Sequence, residues 1–283
     1  MKVITQIQEM KSYVRELKAL GKSVGFVPTM GGLHEGHLSL IRESRKRTDA
    51  TVVSIFVNPM QFGPNEDFKT YPRNFQQDSV LLENEGVDCL FYPEAEEMYP
   101  PGYKTYVEVH GLQDKLCGRS RSGHFRGVCT VVLKFFQIVN PDISFFGQKD
   151  AQQSIILKKM VTDLNLDVAI EVLPTVRDAD GLALSSRNTY LNSEQKKAAL
   201  VLTNSLKKVK MLVDQGERRS GLIIQKIREI IEKEPLVRID YIEIVDPEEL
   251  NPLPEIKEEA LFAVAVFIGK TRLIDNTVIR LKR

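Results

Sequence analysis

SVGFVPTMGGLHEGHLSLIRESRKRTDATVVSIFV, Ser23 to Val57, carries the fold. Its opening, SVGFVP (23–28), is a short strand-like run closed by Pro28. TMGGLHEG follows as a loop, and residues 36–48 read as a helix with a polar outer face. ATVVSIFV (50–57) is then almost continuously apolar and β-branched, as in a parallel strand covered on both faces. DCLFY (88–92) and DISFF (142–146) repeat that signal, each after a segment of helical period. Upstream, Ile7, Met10, Val14, Leu17 and Leu20 recur at helical spacing within residues 5–20, and Gly21 supplies a stop. Strand alternating with helix over about 170 residues predicts an α/β fold with a Rossmann-like, doubly wound parallel sheet.

The pattern changes near residue 175. Helical stretches at 193–215 and 219–233 precede VRIDYIEIV, LFAVAVFIG and TRLIDNTVI, which predict an antiparallel patch beside helices. The expected division is a catalytic domain over 1–175 and a smaller α+β domain over 176–283 that closes over the site. The boundary falls in the loop between Pro174 and Asn192.

Five segments carry the chemistry. In PTMGGLHEGH a strand ends, glycines turn the chain, and a helix starts at or just after Glu35. That junction faces the ligand crevice of an open parallel sheet, where a helix start offers free N–H groups to an anion. His34 and His37, three residues apart, share one side of the helix head and suit charge developing on a phosphate. The absence of a Gly-Lys-Ser/Thr sequence after Gly31 and Gly32 excludes a P-loop. In FVNPMQFGPNEDF (56–68), Asn58 and Gln61 follow directly on a strand; their amides suit a hydroxyl and a carboxylate, although Asn-Pro and Gly-Pro also suit a plain turn. CGRSRSGHFRGVCTVV (117–132) places Arg121 and His124 in a glycine-rich cationic stretch, read either as a mobile loop over an anion or as a solvated basic loop. FFGQKDAQQ (145–153) ends a strand at Gly147 and begins a helix around Lys149, with Gln153 four residues on; a capped surface helix fits it too. In TVRDADGLALSSRN (175–188), Ser185, Ser186 and Arg187 make a phosphate-binding set, in a segment that equally suits a linker.

His34-Glu35-Gly36-His37 resembles the His-x-Gly-His signature of the nucleotidyltransferase superfamily, shared with class I aminoacyl-tRNA synthetases. The longer string, Pro28 to His37, is similar to that of pantothenate synthetases, as are Asn-Pro-x-Gln-Phe, Tyr71-Pro72-Arg73, Gly123 to Gly127, Gly147 to Gln153 and the Ser-Ser-Arg loop. These motifs span residues 23–190 in family order; Leu184, where many members have methionine, and Gln148, an accepted variant, are the departures. The resemblance implies ATP-dependent condensation of pantoate with β-alanine through a pantoyl adenylate, releasing AMP and pyrophosphate, in coenzyme A biosynthesis. It implies ATP contacts from Pro28, Thr29, Met30, Gly31, Gly32, Leu33, His34, Glu35, Gly36 and His37 in the first motif. Further ATP contacts fall to Gly147, Gln148, Lys149, Asp150, Val176 (to adenine through its backbone), Leu184, Ser185, Ser186 and Arg187. Catalysis falls to His37 as proton donor, with His34, Lys149, Ser186 and Arg187. Gln61 and Gln153 are implied to bind pantoate, with Asn58, Arg121 and His124 at the substrates. Mg²⁺ is the implied cofactor, with no evident protein ligand, and the family implies a homodimer.

Composition narrows the alternatives. Among 283 residues, Lys plus Arg number 39 and Asp plus Glu 38, a balance that argues against a nucleic-acid partner. A tRNA-charging enzyme would need an RNA-binding extension and more basic surface. A different nucleotidyltransferase would not call for the paired glutamines, and a nucleotide sensor would not need both histidines, Lys149 and Arg187. The N-terminus lacks an apolar signal core and no run reaches membrane-spanning length, so no leader and no membrane partner are expected. Cys89, Cys117 and Cys129 are odd in number and far apart, which predicts reduced thiols and a cytoplasmic location. Zinc on Cys117, Cys129, His110 and His124 is disfavoured because no close ligand pair exists.

Overall fold

The computed structural model describes residues 1–64 and 66–281. The first part runs β1 (Lys2–Ile4), α1 (Ile7–Ala19), β2 (Val24–Thr29), α2 (Glu35–Arg47), β3 (Ala50–Ile55), α3 (Phe75–Asn84), β4 (Cys89–Phe91) and α4 (Ala95–Met98). It continues with α5 (Cys117–Ser120), α6 (His124–Val139), β5 (Ile143–Gly147), α7 (Ala151–Asp163) and β6 (Ala169–Leu173). The strands form one sheet in the order β1-β4-β3-β2-β5-β6, every neighbouring pair parallel. The pleat sends successive side chains to opposite faces. Phe26, Val52, Phe91 and Phe146 pack with α1, α6 and α7 on one face, and Val27, Val53, Leu90 and Phe145 with α2 and α3 on the other. That double coverage is why the strands read as unbroken apolar runs. The outermost strands, β1 and β6, were not foreseen: β1 has three residues and β6 is half-exposed, so neither shows the apolar run of a central strand.

The remainder runs α8 (Ser193–Asp214), α9 (Ser220–Ile231), β7 (Val237–Val245), β8 (Glu259–Ile268) and β9 (Thr271–Arg280). The last three strands form an antiparallel sheet in the order β7-β8-β9. Phe262, Val264 and Val266 face α8 and α9, whereas Leu261 and Ala263 join the core of the parallel sheet. The small sheet is thus buried on both sides, which accounts for the continuous apolarity of LFAVAVFIG in an antiparallel strand.

Two local expectations are corrected. The helix expected around Lys149 begins at Ala151, and residues 148–150 form a 3-10 turn between β5 and α7. The stretch 117–127, expected as a loop, is helical at both ends, because Gly123 at φ 78° turns the chain from the α5 turn directly into α6. Sheet order then fixes the site. The chain builds outward from β2 through β3 and from β2 through β5, so the carboxyl ends of β2 and β5 flank the switch point where such sheets bind ligands.

Candidate active site

At the carboxyl end of β2, the two histidines cap their own helix. His34 is the N-cap of α2; its Nδ1 accepts from Gly36 N at 3.1 Å, and His37 Nδ1 accepts from His34 N at 3.3 Å. The pattern is a capping box built from imidazoles. With both Nδ1 atoms acting as acceptors, the proton of each neutral ring sits on Nε2. The rings lie 4.1 Å apart. Burial, reinforced by Lys149, lowers His34 to about 4, and burial with His34 and Lys149 holds His37 well below its ordinary value. Both are therefore neutral N–H donors at neutral pH. A Cβ on Gly36 would lie 2.9 Å from His34 Cε1, so glycine at this position lets the ring fold onto the helix start.

The Gly31–Gly32 turn, at φ 83° and 62°, is held from two sides. Asp78, on α3 and only 3% exposed, accepts from Gly32 N and Leu33 N, both at 2.9 Å. Burial raises this carboxyl against the pull of those two N–H groups. Ser186 Oγ donates to Gly32 O at 2.9 Å from the opposite side. The sequence reading missed Asp78, since a lone aspartate in a helix carries no local signal.

The carboxyl end of β3 contributes the amides. Asn58, 1% exposed, donates to Gln61 Oε1 and Gly127 O at 3.1 Å and accepts from Tyr99 OH at 2.9 Å. Both atoms of its amide are thus engaged within the protein, one of them on the Gln61 side chain. Gln61 Nε2 lies 3.1 Å from Met30 Sδ, which ties it to the glycine turn. A Cβ on Gly127 would lie 2.2 Å from Met60 O, so α6 approaches this backbone only through glycine. His124 Nδ1 donates to Gln61 O at 2.7 Å, and its Nε2 accepts from Arg121 Nη1 at 2.9 Å. Arg121 in turn grips Glu66 with bonds of 2.6 and 2.8 Å. Burial would raise Glu66, but Arg121 outweighs it and holds the carboxyl at about 2.

Burial, with Arg121 beside it, lowers His124 to about 3. A histidine lowered on folding binds its proton more readily in the unfolded chain, so the stability it contributes is complete above about pH 6.5 and lost as pH falls toward the folded value. The unfolding free energy in urea is expected to drop between pH 7 and pH 5, by up to about 1.4 kcal/mol per pH unit per histidine. His124→Gln should flatten that slope; an unchanged slope would mean His124 is not buried as a neutral ring.

At β5, Lys149 Nζ lies 3.2 Å from Asp150 Oδ2. Arg187 pairs with Asp67 through two 2.8 Å bonds and lies over the Tyr71 ring. Ser185 caps the turn Ser186–Tyr190, and Val176 O accepts from Leu184 N at 3.0 Å. Lys149, Asp150, Gln153, Ser185, Arg187, Arg121 and His124 line a cavity of about 690 Å³, a size suited to a nucleotide-scale ligand. Its far wall is Tyr241, Phe267, Lys270 and Arg272 of the small sheet, none of which the sequence reading singled out. His34, His37, Gln61 and Asn58 are not on that wall. Gln152 binds Leu112 O, Lys115 O and Cys117 N, and Ser120 reaches Asp240, which fastens the 112–120 stretch between α7 and the small sheet.

A parallel sheet whose switch point gathers neutral imidazoles, a lysine and an arginine beside a cavity of nucleotide size defines an α/β enzyme of the His-x-Gly-His type. The model of the pantoate-β-alanine ligase family matches residues 2–278, and the chain belongs to that family. It is 56% identical to the pantothenate synthetase of Pelotomaculum thermopropionicum over 279 residues, 99% of either chain. Among solved structures, the Thermus thermophilus pantothenate synthetase is similar with TM-score 0.93 and 42% identity, covering 98% of this chain and 99% of that one. The Francisella tularensis pantoate-β-alanine ligase, complexed with β-γ ATP and β-alanine, is similar with TM-score 0.81 and 36% identity, over 98% of this chain and 97% of that one.

Proposed function

We propose that the chain joins pantoate to β-alanine at the expense of ATP, in two steps at the β2–β5 switch point. Family membership supports the reaction. The observation that carries the assignment to this site is that both Nε2–H imidazoles feel the charge of Lys149, while Ser186 binds the Gly32 carbonyl just ahead of them and Lys149, Gln153 and Arg187 line the adjoining cavity. A pantoate carboxylate oxygen attacks the α-phosphorus, a P–O bond forms, and the bond to pyrophosphate breaks. The amine of β-alanine then attacks the acyl carbon, the C–O bond to AMP breaks, and the nitrogen loses its proton. Gln61 and Gln153 hold pantoate without adding charge that would repel ATP. His34, His37, Lys149 and Arg187 stabilise the charge that grows on the phosphates.

Mg²⁺ arrives with the nucleotide in this reading. Magnesium binds mainly phosphate and water, and Asp150 on the cavity lining is the carboxylate that would face it. Bound there, it would neutralise phosphate charge. Residues 1–175 supply the imidazoles, Lys149 and the two glutamines, and residues 176–283 add Ser186 and Arg187 and close the cavity, which excludes water from the adenylate. The reading includes a homodimer, by family resemblance, and a cytoplasmic location, consistent with cysteines that are all free.

The test is AMP formation from ATP and Mg²⁺ with pantoate and β-alanine supplied singly and together. Sustained AMP release requiring both acceptors is expected. AMP release with neither acceptor present, or none with both, would overturn the assignment.

A further inference from the structure

TRLIDNTVI carries two adjacent buried polar residues in mid-strand, Asp275 and Asn276 of β9. Asn276, 6% exposed, spends its carboxamide on a single target. Its Nδ2 donates to Gln148 O and Lys149 O, each at 2.9 Å, and its Oδ1 accepts from Gln148 Nε2 at 3.0 Å. Backbone carbonyls cannot donate, so the amide fits in this orientation alone. Asp275 fixes the strand at the same point, accepting from Asn276 N at 2.9 Å while it grips Arg177.

We propose that Asn276 is a positioning residue for Lys149, holding the backbone from which the ammonium reaches the cavity. The inference rests on the role given to Lys149 above. Lys149 sits in a 3-10 turn, whose internal hydrogen bonds are poorly aligned, and its stem is flexible. Its backbone is therefore the part that the fold can hold still, and Asn276 takes the two carbonyls of that turn nearest the lysine. The antiparallel sheet thus sets the placement of a catalytic cation that is borne by the parallel one. A displacement of about 1 Å at such a group costs on the order of 100-fold in rate.

The experiment measures pantoate-dependent pyrophosphate release, well below each variant's unfolding midpoint, for wild type, Asn276→Ala, Lys149→Ala and the double variant. Asn276→Ala is expected to lower kcat about 10- to 100-fold while KM for pantoate and ATP stays within about threefold. In the Lys149→Ala background the same change should alter the rate by less than about twofold, because its effect passes through the lysine. Asn276→Asp keeps the volume, sets a carboxylate against two carbonyls, and should be slower than Asn276→Ala; it carries the test if the alanine variant does not fold. A wild-type kcat in the folded variants, or losses that simply multiply in the double variant, would overturn the proposal. If wild type itself releases no pyrophosphate with pantoate, the functional reading is what has failed, and the role of Asn276 falls with it.

Discussion

His37→Ala is expected to slow AMP formation by about 10²–10³-fold, the cost of removing one preorganised donor from a developing oxyanion. His37 Nδ1 is committed to His34 N, which leaves Nε2–H as the group presented outward. Burial and the neighbouring His34 and Lys149 keep the ring neutral, so it donates a hydrogen bond without needing an extra proton. Activity should therefore show no acid limb from this residue between pH 8 and pH 6. Alanine also removes half of the reciprocal cap, at about 1 kcal/mol of stability, so rates are compared below the unfolding midpoint of the variant. Single-turnover AMP formation within about fivefold of wild type would remove His37 from the mechanism.

Arg177→Ala should give the largest loss of stability, about 2–3 kcal/mol in urea unfolding. Its guanidinium reaches both oxygens of Asp275, at 2.7 and 2.9 Å, and the Asp275 side chain has no exposed surface. Removing one partner of a buried pair costs about 3–5 kcal/mol because a charge is left unpaired; the lower figure reflects Arg177 being 28% exposed, and so partly screened. Adding Asp275→Asn to Arg177→Ala should recover part of the loss, since it removes the stranded charge. A single variant within about 0.5 kcal/mol of wild type, or a double variant that falls further, would show that the pair does not stabilise the fold in this way. Arg177 begins the segment that leads to Ser185–Arg187, so the same variant is expected to loosen that loop.

The central strands of the parallel sheet were legible because burial on both faces leaves an unbroken apolar run, as in residues 50–57. The edge strands β1 and β6 were not, because they lack that pressure. The start of α2 was legible because Gly31, Gly32 and the histidine pair interrupt one periodicity and open another. Around Lys149 the boundary was misplaced by two residues, since a 3-10 turn and a helix start look alike in composition. Asn58 was read as a ligand group because it follows a strand; only the positions of Gly127 and Tyr99 show its amide to be engaged.

By itself, the sequence determined the α/β class, the antiparallel patch after residue 175, and the segments that meet at the carboxyl edge of the sheet. Those are consequences of side-chain period and turn chemistry, which act over a few residues. The tertiary structure alone decided which ring nitrogen of His34, His37 and His124 carries the proton, which arginines are already paired with acids, and that Asp78 and Asn276 hold the turns bearing His34, His37 and Lys149. Those contacts join residues distant in the chain. A hydrogen bond depends on tenths of an ångström between groups that only the completed fold brings together.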